Sequence, residues 1–180
     1  MTNLPQRKKM RLQTYDYSQN GAYFITICTK DKANLFGDIL DGVMHFSSVG
    51  KIASQNIAEI ENHIAGVTVA HYVVMPNHVH IILMVDVASV GPRYIVAEPR
   101  TPYMASLQEK SKQIVPKTIQ QLKASVSRKA QMHHLWQSRY HDHVIRNAHA
   151  YQTIWRYMDT NPMKWQEDCF YQQTLPTAAK

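Results

Sequence analysis

The chain has 180 residues, of which 44% are hydrophobic and 18% charged, so it is long enough to bury a core as one domain and too apolar to be disordered. No apolar run approaches the roughly 18 residues that span a bilayer, and the basic start MTNLPQRKKMR lacks the apolar core of a signal peptide. These features predict a cytoplasmic protein that makes no membrane contact. Its two cysteines, Cys28 and Cys169, exclude a disulfide framework and a cysteine-based zinc site.

The formal charge of +7 is concentrated in two places. An N-terminal arm, residues 1–15, carries four cations before any acidic residue, and residues 110–146 carry eight Lys or Arg against the single acid Asp142. Clustered cations are expected on a surface that meets phosphates, although a solvated helix face gives the same composition. The candidate DNA-binding residues are Arg7, Lys8, Lys9, Arg11, Lys123, Arg128, Lys129, Arg139 and Arg146.

In chain order, the first predicted element is a strand over residues 22–29, AYFITICT, which is β-branched and aromatic. The Asp41-Gly42 pair between apolar residues predicts a tight hairpin. Apolar residues at helical spacing predict an amphipathic helix over residues 48–63. Two further strands, 68–75 and 78–85, flank a turn at Pro76-Asn77.

The second half of the chain begins with a stretch that has no periodicity. Four of the eight prolines lie between residues 86 and 116, and residues 86–115 are predicted to form a surface loop. A narrow apolar stripe predicts a helix from Pro116 to Ala130, and residues 135–145 form an irregular extended segment. Asn147 is expected to cap a last helix over residues 148–161, which Pro162 stops. Residues 163–180 complete the single predicted domain, 1–180, as a C-terminal tail.

Two histidines, His78 and His80, stand two residues apart in the strand predicted at 78–85. In a strand, residues i and i+2 share a face and lie about 6.5 Å apart, so two imidazoles at this spacing can converge on one cation. A histidine on an apolar strand is more often a hydrogen-bonded core residue. Two ligands also leave most of a coordination sphere open, so a metal site here needs further ligands from elsewhere in the chain.

The last predicted helix carries a second pair of polar side chains, Tyr157 and Asn161. At 100° per residue, Asn161 falls within about 40° of Tyr157 and one turn away, so the phenol and the carboxamide share a face. Taken singly, Tyr157 is an ordinary half-buried aromatic and Asn161 an ordinary helix cap. The apolar stripe that should bury this helix lies beside Tyr157 and consists of Tyr151, Ile154, Trp155 and Met158.

Together these features resemble those of the single-tyrosine HUH transposases, and those of the REP-associated branch in particular. The resemblance rests on three segments and extends over most of residues 11–171 in the expected order; the segments are YDYSQNGAYFITICT, YVVMPNHVHIIL and WQSRYHDHVIRNAHAYQTIWRYMDTNPMKWQED. It implies an α/β (α+β) fold, a ferredoxin-like sandwich in which a mainly antiparallel sheet carries helices on one face.

The resemblance implies that His78 and His80 are metal ligands, that Tyr157 is the nucleophile, and that Asn161 completes the metal sphere. Pro162 bears on the last assignment, because it can pull Asn161 out of helical geometry. The implied cofactor is a divalent metal ion, Mg²⁺ or Mn²⁺. A second H-x-H, His141-Asp142-His143, stands where an aromatic residue is expected at 141, and we interpret it as structural or DNA-contacting.

A phenol has a pKa near 10, so Tyr157 needs a neighbouring cation or base before it can act as a nucleophile. By resemblance, it attacks single-stranded DNA that bears a hairpin or palindromic element, and it leaves a 5′-phosphotyrosine and a free 3′-hydroxyl that can rejoin strands. The sequence leaves open whether the protein acts as a monomer or as a homodimer in which the tyrosine helix serves the partner's histidines.

Two other functions fit the same residues. A domesticated relative would bind hairpin DNA or RNA without cutting it. A zinc hydrolase would use His71, His78, His80 and His143 to activate a water molecule, and Tyr157→Phe would then leave its activity nearly intact.

Overall fold

The computed structural model describes residues 20–86 and 114–171. The predicted N-terminal arm, nearly all of the predicted loop at 86–115 and residues 172–180 of the predicted tail lie outside these ranges, as do the candidate DNA contacts Arg7, Lys8, Lys9 and Arg11. Among the helices within the ranges, none combines the length and the apolar character needed to cross a membrane.

The described ranges contain strands β1 (Gly21–Cys28), β2 (Gly37–Leu40), β3 (Val43–Phe46), β4 (Val67–Met75), β5 (His78–Val85) and β6 (His141–Ile145). The α-helices are α1 (Ser48–Ala58), α2 (Ile60–His63), α3 (Ile114–Lys129) and α4 (Ala148–Thr160), and 3₁₀ helices occupy Lys30–Lys32 and Pro162–Glu167. Each strand and helix predicted from hydrophobic pattern is present, except that the helix predicted over residues 48–63 is divided at Glu59 into α1 and α2. Most of their ends shift by one or two residues, as element boundaries commonly do.

The main sheet has four antiparallel strands in the order β4-β5-β1-β6, which confirms the predicted α+β class with a mainly antiparallel sheet. Strand β1 is central, and its Thr26 lies opposite His80 of β5 on one side and His141 of β6 on the other. Strands β2 and β3 form a separate hairpin. Asp41 and Gly42 close it with positive φ angles of 51° and 75°, as a tight hairpin turn requires.

Helices cover both faces of this sheet. Helices α1 and α3 pack on the face formed by odd-numbered residues of β1 and β5, such as Ile25 and Ile81. Helix α4 packs on the opposite face, where Met158 lies over Ala22 and Ile82. The expectation that the helices lie on one face is therefore wrong, because the even-numbered residues of the central strands include apolar ones, and α4 buries its own stripe against them.

A bulge in the edge strand β4 changes which of its residues face α4. Val69 pairs with Leu83 but His71 pairs with Ile82, so Ala70 is an extra residue in the ladder. Before the bulge, Val69 faces the core under α1 and α3; after it, Tyr72 and Val74 do. The extra residue thereby places His71 on the α4 face. Regular alternation would have placed it on the same face as Val69.

Candidate active site

His78 and His80 lie side by side on the α4 face of β5. They are 0% and 2% exposed, and their Nε2 atoms are 3.1 Å apart. Thr26 on the neighbouring strand approaches from the other side, with Oγ1 2.8 Å from Nδ1 of His80. The two predicted metal ligands therefore converge as the strand spacing implied.

The hydrogen bonds of Asn77 determine which nitrogen of His78 carries a proton. Nδ2 of Asn77 donates to the main-chain oxygens of Lys32 and Phe170, at 3.1 and 2.9 Å. Its Oδ1 then faces Nδ1 of His78 at 2.9 Å and accepts a hydrogen bond from it. A neutral imidazole that donates through Nδ1 has its lone pair on Nε2, so His78 presents a metal-binding atom to the site.

His80 has a more adaptable partner. The Thr26 hydroxyl can donate to Nδ1 of His80 or accept from it, because a hydroxyl is both donor and acceptor. With its proton on Nε2, His80 donates to His78. With its proton on Nδ1, His80 donates to Thr26, and both Nε2 lone pairs are then free for a cation.

Tyr157 reaches this pair from α4 in the same chain. Its hydroxyl lies 3.2 Å from Nε2 of His80 and donates a 3.4 Å hydrogen bond to Oδ2 of Asp168. The Phe24 ring stacks on His80 and meets Tyr157 edge-on, with centroids 5.0 and 6.2 Å apart. Tyr157 is 41% exposed, so part of this residue is open to solvent at the surface of α4.

Asp168 is the site residue that sequence reasoning missed. It follows the 3₁₀ helix Pro162–Glu167, and its Oδ1 accepts a 2.7 Å hydrogen bond from the main-chain N–H of Phe170. One ligand atom from each of His78, His80 and Asp168 lies within 4.8 Å of the others. The available signal is the pair of acids in the segment WQED, but this segment lacks periodicity and lies in the predicted tail.

This donor set fits a divalent cation. Metal–ligand bonds of about 2.1 Å at right angles separate two ligand atoms by about 3.0 Å, which is close to the 3.1 Å between the Nε2 atoms of His78 and His80. Mixed imidazole and carboxylate ligands are bound by first-row divalent ions. Three protein ligands also leave coordination positions open for a phosphate.

Asn161 is the C-cap of α4 and is 3% exposed. Its φ of −58° and ψ of −43° are helical, so Pro162 does not pull it out of the helix. Among the described residues its buried Nδ2 has no hydrogen-bond partner. The carboxamide is close enough to the Tyr157 hydroxyl to lower its pKa slightly, against larger opposing effects. An unpartnered amide beside the tyrosine is available to a bound group.

Burial sets the protonation states of the site. It lowers the pKa of His78 to about 3, helped by the charge of Lys32, and that of His80 to about 3, helped by His78. Both imidazoles are therefore neutral at pH 7, as metal ligation requires. Burial, and then the negative charge of Asp168, raise the pKa of Tyr157 to about 12. The phenol consequently stays protonated until a cation offsets both effects.

The structure keeps part of the predicted DNA-contact set away from this site. Arg128 and Lys129 are exposed at the end of α3, which packs on the opposite sheet face, and Nζ of Lys129 lies 3.6 Å from Glu59. Nζ of Lys123 donates to the main-chain oxygen of Gln137 at 2.7 Å, and burial lowers its pKa. Arg139 comes shortly before strand β6 and Arg146 directly after it, and both are exposed.

The ligand set of the zinc-hydrolase alternative does not assemble. Nε2 of His71 lies 2.9 Å from Oδ1 of Asp159, and His143 is exposed on β6 opposite Phe24. Within residues 20–86 and 114–171, the group that could hold a metal contains neither of them. His141 is exposed as well.

No family model matches the chain. It is 30% identical over 169 residues to an uncharacterized protein of Haemophilus influenzae, and the match covers 92% of this chain and 93% of that protein. Among solved structures, the chain is similar to a REP-associated tyrosine transposase bound to a REP hairpin. The TM-score is 0.53 at 16% identity, with 81% of this chain and 68% of that chain covered. This likeness shows a shared fold.

Proposed function

We propose that this chain, which belongs to the same family as the Haemophilus influenzae protein, is a metal-dependent DNA strand transferase of the tyrosine-transposase type. It cleaves and rejoins single-stranded, hairpin-bearing DNA through a 5′-phosphotyrosine link. The observation that carries the proposal is the 3.2 Å contact between the Tyr157 hydroxyl and Nε2 of His80, beside His78 and Asp168. A nucleophile and a ligand cluster in one place are the parts that phosphoryl transfer to a tyrosine needs.

The substrate class is supported by fold and by charge. The transposase of similar fold is bound to a REP hairpin, and this chain has a net charge of +7. The exposed residues Arg139 and Arg146 flank β6, whose His141 lies directly across from Thr26 in the sheet. We therefore assign the β6 edge as the side over which DNA reaches the site. Because one chain supplies the histidines and the tyrosine, a monomer suffices for cleavage.

In the proposed reaction, one phosphorus–oxygen bond forms as another breaks, and the phenol proton moves to the leaving group. The Tyr157 oxygen attacks a backbone phosphorus, and the bond between that phosphorus and its 3′ oxygen breaks. The phenol proton passes through Asp168, whose Oδ2 already accepts the Tyr157 hydrogen bond, to the departing 3′ oxygen. Attack of a 3′-hydroxyl on the phosphotyrosine reverses these steps and restores a phosphodiester, so no nucleotide cofactor is consumed.

His78, His80 and Asp168 would hold the divalent ion, Mg²⁺ or Mn²⁺, and the unpartnered amide of Asn161 lies beside Tyr157. The ion would supply positive charge that favours the phenolate and stabilises charge building on the phosphate oxygens. Asn77 and Thr26 orient the two imidazoles.

Replacing Tyr157 by phenylalanine tests the nucleophile. Tyr157→Phe should abolish covalent adducts while hairpin and Mn²⁺ binding persist, because only the hydroxyl is removed. Tyr151→Phe is the matched control, since Tyr151 lies on the same helix but packs against Trp155. The measurement is incubation with Mn²⁺ and labelled single-stranded hairpins, taken from DNA that flanks the reading frame, followed by a denaturing gel.

The alternatives give different outcomes. A wild-type protein that binds these hairpins without any adduct would be a hairpin binder. Cleavage retained by Tyr157→Phe would mean that a metal-bound water attacks instead. Either result contradicts the proposal.

A further inference from the structure

His71 connects the edge strand β4 to the helix that carries Tyr157. Its ring stacks on Trp155, with centroids 4.2 Å apart and planes 10° apart, and its Nε2 lies 2.9 Å from Oδ1 of Asp159. Nε2 of His71 has no hydrogen-bond partner among the described residues, so the stacking on Trp155 is what fixes the ring beside Asp159. Trp155 and Asp159 are one turn apart on α4. A single side chain of the sheet is therefore held by two successive turns of the helix.

The β4 bulge makes this contact possible. Ala70 is the extra residue between Val69 and His71, and it changes the alternation so that His71 faces α4. If β4 paired regularly along its whole length, with no bulge, His71 would share the face of Val69 and point into the core under α1 and α3. Bulges next to active sites commonly redirect a side chain in this way.

The position of these contacts around α4 relates them to Tyr157. Met158 is fully buried and marks the side of the helix that faces the sheet. At 100° per residue, Trp155 and Asp159 project to one flank of that side and Tyr157 projects to the other. Any rotation of α4 about its axis therefore moves the Tyr157 hydroxyl and the partners of His71 together.

The Tyr157 hydroxyl lies far from the axis of α4, so a small rotation of the helix moves it a large distance. A phenol hydroxyl extends about 9 Å from a helix axis, so a rotation of about 20° displaces it by roughly 3 Å. Such a displacement would break the 3.2 Å contact between the Tyr157 hydroxyl and His80. The contacts of His71 with Trp155 and Asp159, on the opposite flank of α4, oppose this rotation.

We propose that His71, Trp155 and Asp159 form a clasp that positions Tyr157 over the histidines of its own chain. The role in cleavage rests on the proposed function. His71 and Asp159 are positioning residues, since they act on the reaction only by fixing the rotation of α4. Asp159 is half exposed, with a side-chain exposure of 52%, so its replacement leaves the core intact.

A double-mutant cycle tests the clasp in catalysis. His71→Gln and Asp159→Asn should each slow adduct formation about 10- to 100-fold, because small misplacements of a reacting group cost that much. Dissociation constants for the hairpin and for Mn²⁺ should stay unchanged. The double variant should be no slower than His71→Gln alone, because that change already removes the contact with Asp159. His149→Gln, an exposed histidine on the same helix, should keep the wild-type rate.

A second measurement tests the clasp without catalysis. 3-Fluorotyrosine placed at position 157 reports the ring environment by ¹⁹F NMR, and Asp159→Asn should move its resonance towards that of the free amino acid. An unchanged resonance, unchanged single-variant rates or multiplying effects in the double variant would each overturn the clasp. A wild-type protein that forms no adduct would refute the proposed function, and the ¹⁹F shift would still decide the clasp.

Discussion

Burial of His78 and His80 makes the stability of the folded chain depend on pH. Their pKa is about 3 in the folded protein and about 6.5 in an unfolded chain, so the unfolded state binds more protons between these values. The contribution of the neutral pair to the free energy of unfolding has its full value above pH 6.5 and is lost as the pH falls towards 3. The loss is about 1.4 kcal/mol per pH unit for each histidine.

Urea unfolding of the metal-free protein at pH 7 and pH 5 measures this dependence. The double variant His78→Asn, His80→Gln should lose most of it, because neither amide titrates in this range. Equal pH dependence in the wild type and the double variant would show that other groups are responsible.

Asp168 carries the only negative charge among the three candidate ligands. Asp168→Asn should weaken Mn²⁺ binding by about tenfold or more, and it should lower the pKa of Tyr157, because the charge that helps to raise it is gone. Calorimetric titration with Mn²⁺ and the ultraviolet absorbance of the phenolate measure the two effects. Glu167→Gln, at an exposed neighbouring acid, is the control. Unchanged Mn²⁺ affinity in Asp168→Asn would remove it from the ligand set.

The site residues differ in how far the sequence could predict them. His78, His80 and Tyr157 stand in segments whose period defines a strand and a helix, so their faces follow from alternation and from the 100° turn. Asp168 lies in a segment without a period. Asp168 comes close to the histidines because of the 3₁₀ helix before it and because Asn77 donates a hydrogen bond to the main-chain oxygen of Phe170. That hydrogen bond joins residues 93 positions apart.

Helix α4 carries Tyr157, the proposed nucleophile, and the N-cap of this helix is visible in the sequence. Oδ1 of Asn147 accepts a 2.8 Å hydrogen bond from the Ala150 N–H. Asn147→Ala should cost about 1 kcal/mol and lower the melting temperature by roughly 2–4 °C, whereas Asn147→Ser should be nearly neutral. Thermal unfolding followed by circular dichroism measures both. Equal melting temperatures for the two variants would contradict the capping role.

Two elements show where periodicity stops being informative. The helix predicted over residues 48–63 is interrupted at Glu59, whose ψ of −2° ends α1 before α2 begins. The segment predicted as irregular at 135–145 contains β6, which is ordered by pairing with β1. Hydrophobic periodicity predicts an element that repeats along the chain. It does not predict a break at a single residue, and it does not predict a short strand that depends on pairing with its neighbour.

At the scale of the whole molecule, one face of the sheet packs the main hydrophobic core and the other face carries the candidate site. The face under α1 and α3 is a closed hydrophobic core, whereas the face under α4 combines a smaller apolar cluster with the histidines. The pattern predicted the strands and their antiparallel order near the turn at Asn77. It did not predict the side on which α4 packs, because both faces of β1 and β5 carry apolar residues that a helix can cover.

The position of Asn77 has a consequence for the order in which the protein is made. Its turn is the meeting point of Lys32, His78 and Phe170, and the last of these is synthesised long after the histidines. A nascent chain can therefore pair β1, β4 and β5 while Tyr157 and Asp168 are still within the ribosome. On the proposed function, the site would be complete only after residues 157–170 have been synthesised and have folded against the histidines.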